Sequence, residues 1–193
     1  MSFISNSNNF FCEKHFIFRE NQILLESIQK KTEDRENSDI KIDENHILPS
    51  EAIIRRCMSM QAASDWFAEP EYNYSAMLLE DSSPTPAGCN FVPLRDFFTM
   101  CGETMIMLAS RAKSILTWRE KMRFCPQCAT KLSDSKLFSA KFCSKCNKDI
   151  FPRLEPCIIV LVKDKNKYLL VRHAKRIQNL YACISGFIEA GET

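Results

Sequence analysis

Two C-x2-C pairs constrain this chain more tightly than any other feature. Cys125-Pro126-Gln127-Cys128 and Cys143-Ser144-Lys145-Cys146 are separated by 14 residues. The x2 spacing turns the backbone around an ion, so each pair offers two thiolates. Two such knuckles complete the tetrahedral S4 shell that Zn2+ accepts in closed structural sites. Cys125, Cys128, Cys143 and Cys146 are therefore read as ligands of a structural Zn2+ in a short ribbon. Four thiolates leave no open position, which argues against a catalytic zinc. An iron–sulfur cluster has no redox context here. A thioredoxin-like dithiol would open a helix in a βαβ unit. The other cysteines (Cys12, Cys57, Cys89, Cys101, Cys157 and Cys183) stand among apolar neighbours and read as reduced, mostly buried thiols.

A length of 193 residues admits one sizeable domain or two small ones. Hydrophobic content of 45% and charged content of 26% are ordinary for a globular protein. No run approaches the ~18 apolar residues that span a bilayer, and Met1 to Asn6 lacks the basic start and apolar core of a signal peptide. The expectation is a cytoplasmic protein without a membrane partner. A net charge of +2 gives no global pull toward polyanions. Regionally the balance differs: residues 111–153 carry eleven Lys or Arg against three acids. That stretch reads either as a solvated ribbon surface or as an attractor for a phosphorylated substrate or an RNA 5′ end.

Upstream, Phe16-Ile17-Phe18 and Ile23-Leu24-Leu25 flank a polar break and suggest two strands and a turn. Residues 30–45 are charged and poor in apolar side chains, the pattern of a solvated loop. Tyr72 to Leu79 reads as a strand and Asp81 to Gly88 as a turn-rich connector. Nothing in the first ~90 residues carries a motif tied to chemistry. From Gly102 the period changes: Met105, Leu108, Ala109, Ala112, Ile115 and Leu116 share one helical face. Arg119 and Lys121 stand near its end, where cations complement the helix dipole. This helix reads as a spacer that packs on one domain and presents the ribbon.

Past the ribbon, Phe151-Pro152-Arg153 leads to the apolar run Cys157 to Val162, rich in β-branched residues and read as a buried strand. A turn over Lys163 to Lys167, a return strand Tyr168 to Arg172 and a third segment Tyr181 to Ser185 lead into Gly186-Phe187-Ile188-Glu189-Ala190-Gly191-Glu192-Thr193. His173 reads as a surface or packing histidine rather than a base.

In this order, over about residues 90–193, these features resemble the NADH pyrophosphatase (NAD+ diphosphatase) branch of the Nudix hydrolases. The signature of that superfamily is G-x5-E-x7-R-E-U-x-E-E-x-G-U, with U aliphatic; Gly186 and Glu192 fit its first two fixed positions. The resemblance implies an α+β chain with four parts: a β-rich N-terminal domain (1–90), a linking helix (91–123), the zinc ribbon (124–150), and the first strands of an incomplete Nudix α/β/α sandwich (151–193). It also implies a Mg2+- or Mn2+-dependent cleavage of NADH or NAD+ to nicotinamide mononucleotide and AMP, with NAD-capped RNA as a related substrate and a homodimer as a frequent assembly. By resemblance the Ser185 carbonyl contacts the catalytic metal and Glu192 braces the loop. Phe151 lies near the substrate base, against the alternative that it packs the ribbon onto the sheet. Arg95 contacts substrate, against the alternative of a solvated arginine.

The glutamate-bearing box helix is not among residues 1–193. The expectation is a fragment or interrupted product, inactive on pyrophosphate by itself. The alternative is a non-catalytic zinc-ribbon module that binds nucleotide, RNA or protein.

Overall fold

Three strands rich in apolar residues on both faces build the N-terminal layer. The computed structural model describes residues 12–28, 42, 46–172, 174 and 179–192. Of the charged stretch 30–45 only Ile42 is described, and His173 and Thr193 lie outside the described residues. Strands β1 (Lys14–Arg19) and β2 (Gln22–Ser27) form a hairpin turned at Glu20, whose φ is 48°. There follow β3 (His46–Ile47), α1 (Glu51–Ser59), β4 (Ala63–Glu69), a 3-10 turn at Pro70–Tyr72, β5 (Tyr74–Leu79) and β6 (Cys89–Pro93). Next come α2 (Leu94–Met100) and α3 (Glu103–Lys121). The sheet order is β3-β2-β1-β5-β4, with β6 also pairing β2; β1 and β5 run parallel and the other pairs antiparallel.

Side chains of period 2 point to opposite faces, and here both faces are covered. Phe16, Phe18, Ile23, Leu25, Tyr74 and Leu78 point to one side and pack with Phe97 of α2 and Ala109, Ala112, Ile115 and Leu116 of α3. Their alternates Ile17, Leu24, Met77 and Leu79 pack with Ile53, Ile54 and Cys57 of α1. Two-sided burial explains why β5 reads as a continuous apolar run rather than an alternating one. Helix α1 was not evident in the sequence, because nine residues are too short a stretch to establish a helical period. Arg119 stands in the last turn of α3, as expected, and is also buried with the apolar stripe of that helix.

His15 lies in register with Ser75 across the parallel β1–β5 pair, and its Nδ1 is 2.8 Å from the serine hydroxyl. Burial pulls its pKa down from 6.5 to about 4, against a weaker opposing pull from Glu51. Between those values the unfolded chain binds a proton that the folded chain refuses, so stability falls as pH drops from 6.5 toward 4. The shift corresponds to about 3 kcal/mol. Urea midpoints at pH 7 and pH 4.5 are expected to fall less in His15→Asn than in the parent. An equal fall in both would contradict this assignment.

The ribbon strands are β7 (Ser133–Asp134), β8 (Lys141–Cys143) and β9 (Lys148–Ile150), joined antiparallel in that order. They belong with the sheet and helices to one compact unit ending at Pro152; a second unit comprises residues 153–193. That second unit holds β10 (Cys157–Val160), β11 (Val162–Asp164), β12 (Lys167–Leu169) and β13 (Ile184–Phe187). Ladder β10–β13 is antiparallel, β11 and β12 make a hairpin turned at Lys165 (φ 51°), and Val171 bridges to Ala182.

The apolar run 157–162 departs from the reading as one buried strand. It breaks at Leu161, because its two halves pair with different partners. It is also exposed on both faces, with Ile159 at 73%. The run has the composition of a strand covered on two sides, yet each of its ladders has only two strands. The cysteines divide as well: Cys12, Cys57 and Cys89 are buried, Cys101 and Cys183 intermediate, and Cys157 exposed. Three helices among the described residues accompany the strands, a β-rich α+β chain. No helix among the described residues is long and apolar enough to cross a membrane.

Candidate functional site

The two knuckles are built alike. In each, the residue after the second cysteine takes the left-handed conformation, Ala129 at φ 57° and Asn147 at φ 50°. In the first, the turn is closed by the Ala129 N–H to the Cys125 carbonyl (2.9 Å) and the Cys125 N–H to the Thr130 carbonyl (2.8 Å). In the second, the Cys146 N–H points at the Cys143 sulfur at 3.4 Å. The knuckles then face one another. Cys125 Sγ lies 3.9 Å from Cys146 Sγ, Cys128 Sγ lies 3.5 Å from Cys143 Sγ, and all four fall within 4.8 Å. Zinc–sulfur bonds of about 2.3 Å in a tetrahedron put the sulfurs about 3.8 Å apart. The donor set therefore fits a zinc-sized ion.

The thiols are tuned unequally. Hydrogen bonds from the Thr130 hydroxyl and backbone pull Cys128 down to about 6. Burial raises Cys125, but backbone N–H groups of Gln127 and Cys128 lower it more. Cys146, hydrogen-bonded to Cys128 and facing the remaining sulfurs, is pushed up to about 12. A cation is what would let all four ionise together.

Two ionic clusters, neither expected from the sequence, fasten this ribbon to the sheet and to α3. Arg119 holds Asp65 of β4 with two bonds (2.7 and 3.0 Å) and Asp134 of β7 with another at 2.8 Å, its guanidinium 5.5 Å from the Phe67 ring. Glu69 of β4, 3% exposed, receives two bonds from Arg111 (2.8 and 2.7 Å), one from the Ser139 hydroxyl of the ribbon (2.5 Å) and a short one from Tyr74. Burial raises the Glu69 pKa, but these donors lower it more, to a net value below 4.5. The sequence did hold a signal for Arg119: it falls one turn beyond Ile115 and Leu116 on the apolar stripe, where a cation needs a buried partner.

The remaining candidates fall in both units, Phe151 and Arg95 in the first and Ser185, Gly186 and Glu192 in the second. Phe151 is 53% exposed, its ring 5.6 Å from that of Phe138. Arg95 is exposed in the first turn of α2, and none of its described contacts reaches another candidate residue. In the second unit Ser185 and Gly186 pair with Ile159 and Ile158 across the β10–β13 ladder. The ladder is extended by the Ile188 N–H to the Pro156 carbonyl (2.9 Å). The chain then turns: the Glu192 N–H meets the Glu189 carbonyl at 3.1 Å, and the Glu192 carboxylate accepts the Glu189 N–H at 2.9 Å. Gly191, at φ 93°, occupies the position of this turn that a side chain would strain. Apart from the four cysteines, no group of three or more metal-type side chains comes together among the described residues. The side chains of the described residues thus do not by themselves assemble a carboxylate set for a catalytic Mg2+ or Mn2+.

No family model matches the chain. Curated relatives do. Over 104 residues it is 38% identical to the NAD-capped RNA hydrolase NudC of Vibrio atlanticus, covering 54% of this chain and 38% of the relative. Over 155 residues it is 31% identical to the Pseudomonas fluorescens protein of the same name, covering 78% of this chain and 55% of the relative. Over 92 residues it is 33% identical to the chloroplastic Nudix hydrolase 19 of Arabidopsis thaliana, covering 46% and 21%. The chain spans about half the length, or less, of these relatives. The relatives, the paired C-x2-C knuckles and the G-F-x-E-x-G-E-T segment agree, and the chain belongs to the NudC (NADH pyrophosphatase) branch of the Nudix hydrolase family.

Proposed function

We propose that residues 1–193 supply the N-terminal domain, a structural zinc ribbon and the opening strands and box loop of a cytoplasmic Nudix hydrolase that splits the pyrophosphate of NADH, NAD+ or NAD-capped RNA. The observation that carries this reading is the 31% identity over 155 residues to a protein named NAD-capped RNA hydrolase. Cys125, Cys128, Cys143 and Cys146 hold Zn2+, which fixes the ribbon and takes no part in chemistry. Glu192 braces the loop after Gly186, a role supported by its bond to the Glu189 N–H. Ser185 offers a backbone carbonyl to a divalent metal, Phe151 a ring to the substrate base and Arg95 a cation to the substrate. A homodimer is the proposed assembly.

Divalent metals gather the charge of a pyrophosphate and polarise its phosphorus, and they require several carboxylates. The described residues do not bring such a set together. The polypeptide of residues 1–193 is therefore expected to release no AMP from NADH with Mg2+ or Mn2+, as read by chromatography. Fused through Glu192 to the carboxy-terminal portion of the Pseudomonas relative, it is expected to do so. AMP release by the unfused chain would contradict the first half of this reading. A folded, zinc-loaded fusion without activity would contradict the second and favour a non-catalytic binding module.

A further inference from the structure

The ribbon loop that follows β7 holds an aromatic ring in water by construction. Ser135, buried, accepts the N–H groups of Leu137 and Phe138 on its hydroxyl (both 3.3 Å) and donates its own N–H to the Ala140 carbonyl (2.9 Å). The Ala140 N–H returns to the Phe138 carbonyl at 2.8 Å, and Ser139 is tied to buried Glu69. Phe138 nevertheless stays 44% exposed, next to the 53% exposed Phe151. A loop fixed at this many points displays that ring because of its bonding, and exposed aromatic faces on a fixed loop are what nucleobases stack upon.

The pair also limits what it can hold. Its centroids are 5.6 Å apart and its planes tilted by 54°. Stacked bases rise about 3.4 Å per step, so two faces clasping one base stand about 7 Å apart and parallel. These rings are too close and too tilted, and each must serve a separate base. Lys136 is exposed two residues before Phe138, and Lys131, Lys145 and Lys148 are exposed on the same ribbon. Phe138 thus belongs to a ribbon whose exposed charged side chains include four lysines.

We infer that Phe138, with Lys136 beside it, is a stacking station for single-stranded RNA, taking a nucleotide next to the one at Phe151. This rests on the function proposed above and assigns to the ribbon the chain that follows the reacting end. The test uses the purified 193-residue chain and an unstructured, 3′-fluorescein-labelled 12-nucleotide RNA in anisotropy titrations, with a blunt RNA duplex and NADH as comparators. Phe138→Ala is expected to weaken single-strand binding about 10-fold. Phe138→Trp is expected to preserve it, and Lys136→Glu to flatten its dependence on salt. Zinc content and thermal midpoint are measured on each variant, so that misfolding is not mistaken for lost contact. Absence of single-strand binding in the parent, equal loss for duplex, or unchanged binding in Phe138→Ala would each overturn the inference. So would a matching loss of NADH affinity, which would place Phe138 in the dinucleotide site instead. Failure of the NADH-hydrolysing fusion, with RNA binding intact and dependent on Phe138, would instead remove the proposed activity and leave the RNA station standing.

Discussion

Cys143→Ser is expected to release the ribbon's zinc and unfold residues 124–150. Cys143 is fully buried and faces Cys128 at 3.5 Å. Around the sulfurs the ribbon's own core adds buried Leu132, with Met122 and Ile150 partly buried. Such a core cannot offset the entropy of ordering the ribbon, at roughly 1–2 kcal/mol per residue for the backbone alone. Zinc supplies the difference, since apparent binding energies of structural zinc run about 10–16 kcal/mol in small ribbons and fingers. The parent should carry one zinc per chain by atomic emission and resist trypsin at Lys131, Lys136 and Lys145. The variant should lose the metal and be cut there, while far-ultraviolet dichroism keeps the signal of the N-terminal sheet and helices. A zinc-free parent, or a variant as metal-loaded and protease-resistant as the parent, would refute the assignment.

Arg119→Met should destabilise the first unit by about 3–5 kcal/mol, the usual consequence of removing one partner from a buried ionic group. The guanidinium is 3% exposed and serves Asp65 and Asp134 at once, so its loss leaves two largely buried carboxylates facing each other without a cation. Lys141, 3.6 Å from the Asp134 oxygen that Arg119 binds, offsets only part of that charge and does not replace the bonds to Asp65. For a chain of this size the loss corresponds to about 10 °C in thermal midpoint. The triple change Asp65→Asn, Arg119→Met, Asp134→Asn removes the stranded charges and should recover most of that loss. A single variant that melts within a degree or two of the parent, or a triple variant no better than the single, would argue against the cluster as the clamp between sheet, helix and ribbon.

The four cysteines were legible because metal geometry is encoded in local spacing, and the hairpin at Glu20 and the helix from Glu103 because period and turn chemistry are local too. The turn at Glu192 is local too, since its carboxylate accepts the Glu189 N–H only three residues away. What stayed hidden is non-local. Glu69 and Arg111 are 42 residues apart, Glu69 and Ser139 are 70 apart, and His15 meets Ser75 across a separation of 60. Each reads as an ordinary polar residue until the sheet brings the partners together. The exposure of Phe138 follows from hydrogen bonds within its loop, which composition does not record. The strand at 157 misled for a different reason: β-branched content reports what a strand prefers as neighbours, and β10 in this chain lacks them on either face.

Heat capacity is where that uncovered ladder leaves its mark. Ile159 and Phe187 are already 73% and 72% exposed, so melting β10 from β13 transfers little new apolar surface to water. Apolar exposure is what raises the heat capacity on unfolding, by about 0.45 cal/K/mol per Å2. The calorimetric step of the chain therefore originates in the doubly covered sheet of the first unit. It is expected to have the size of a domain shorter than 193 residues, with the second unit adding little heat-capacity change, as scanning calorimetry would read.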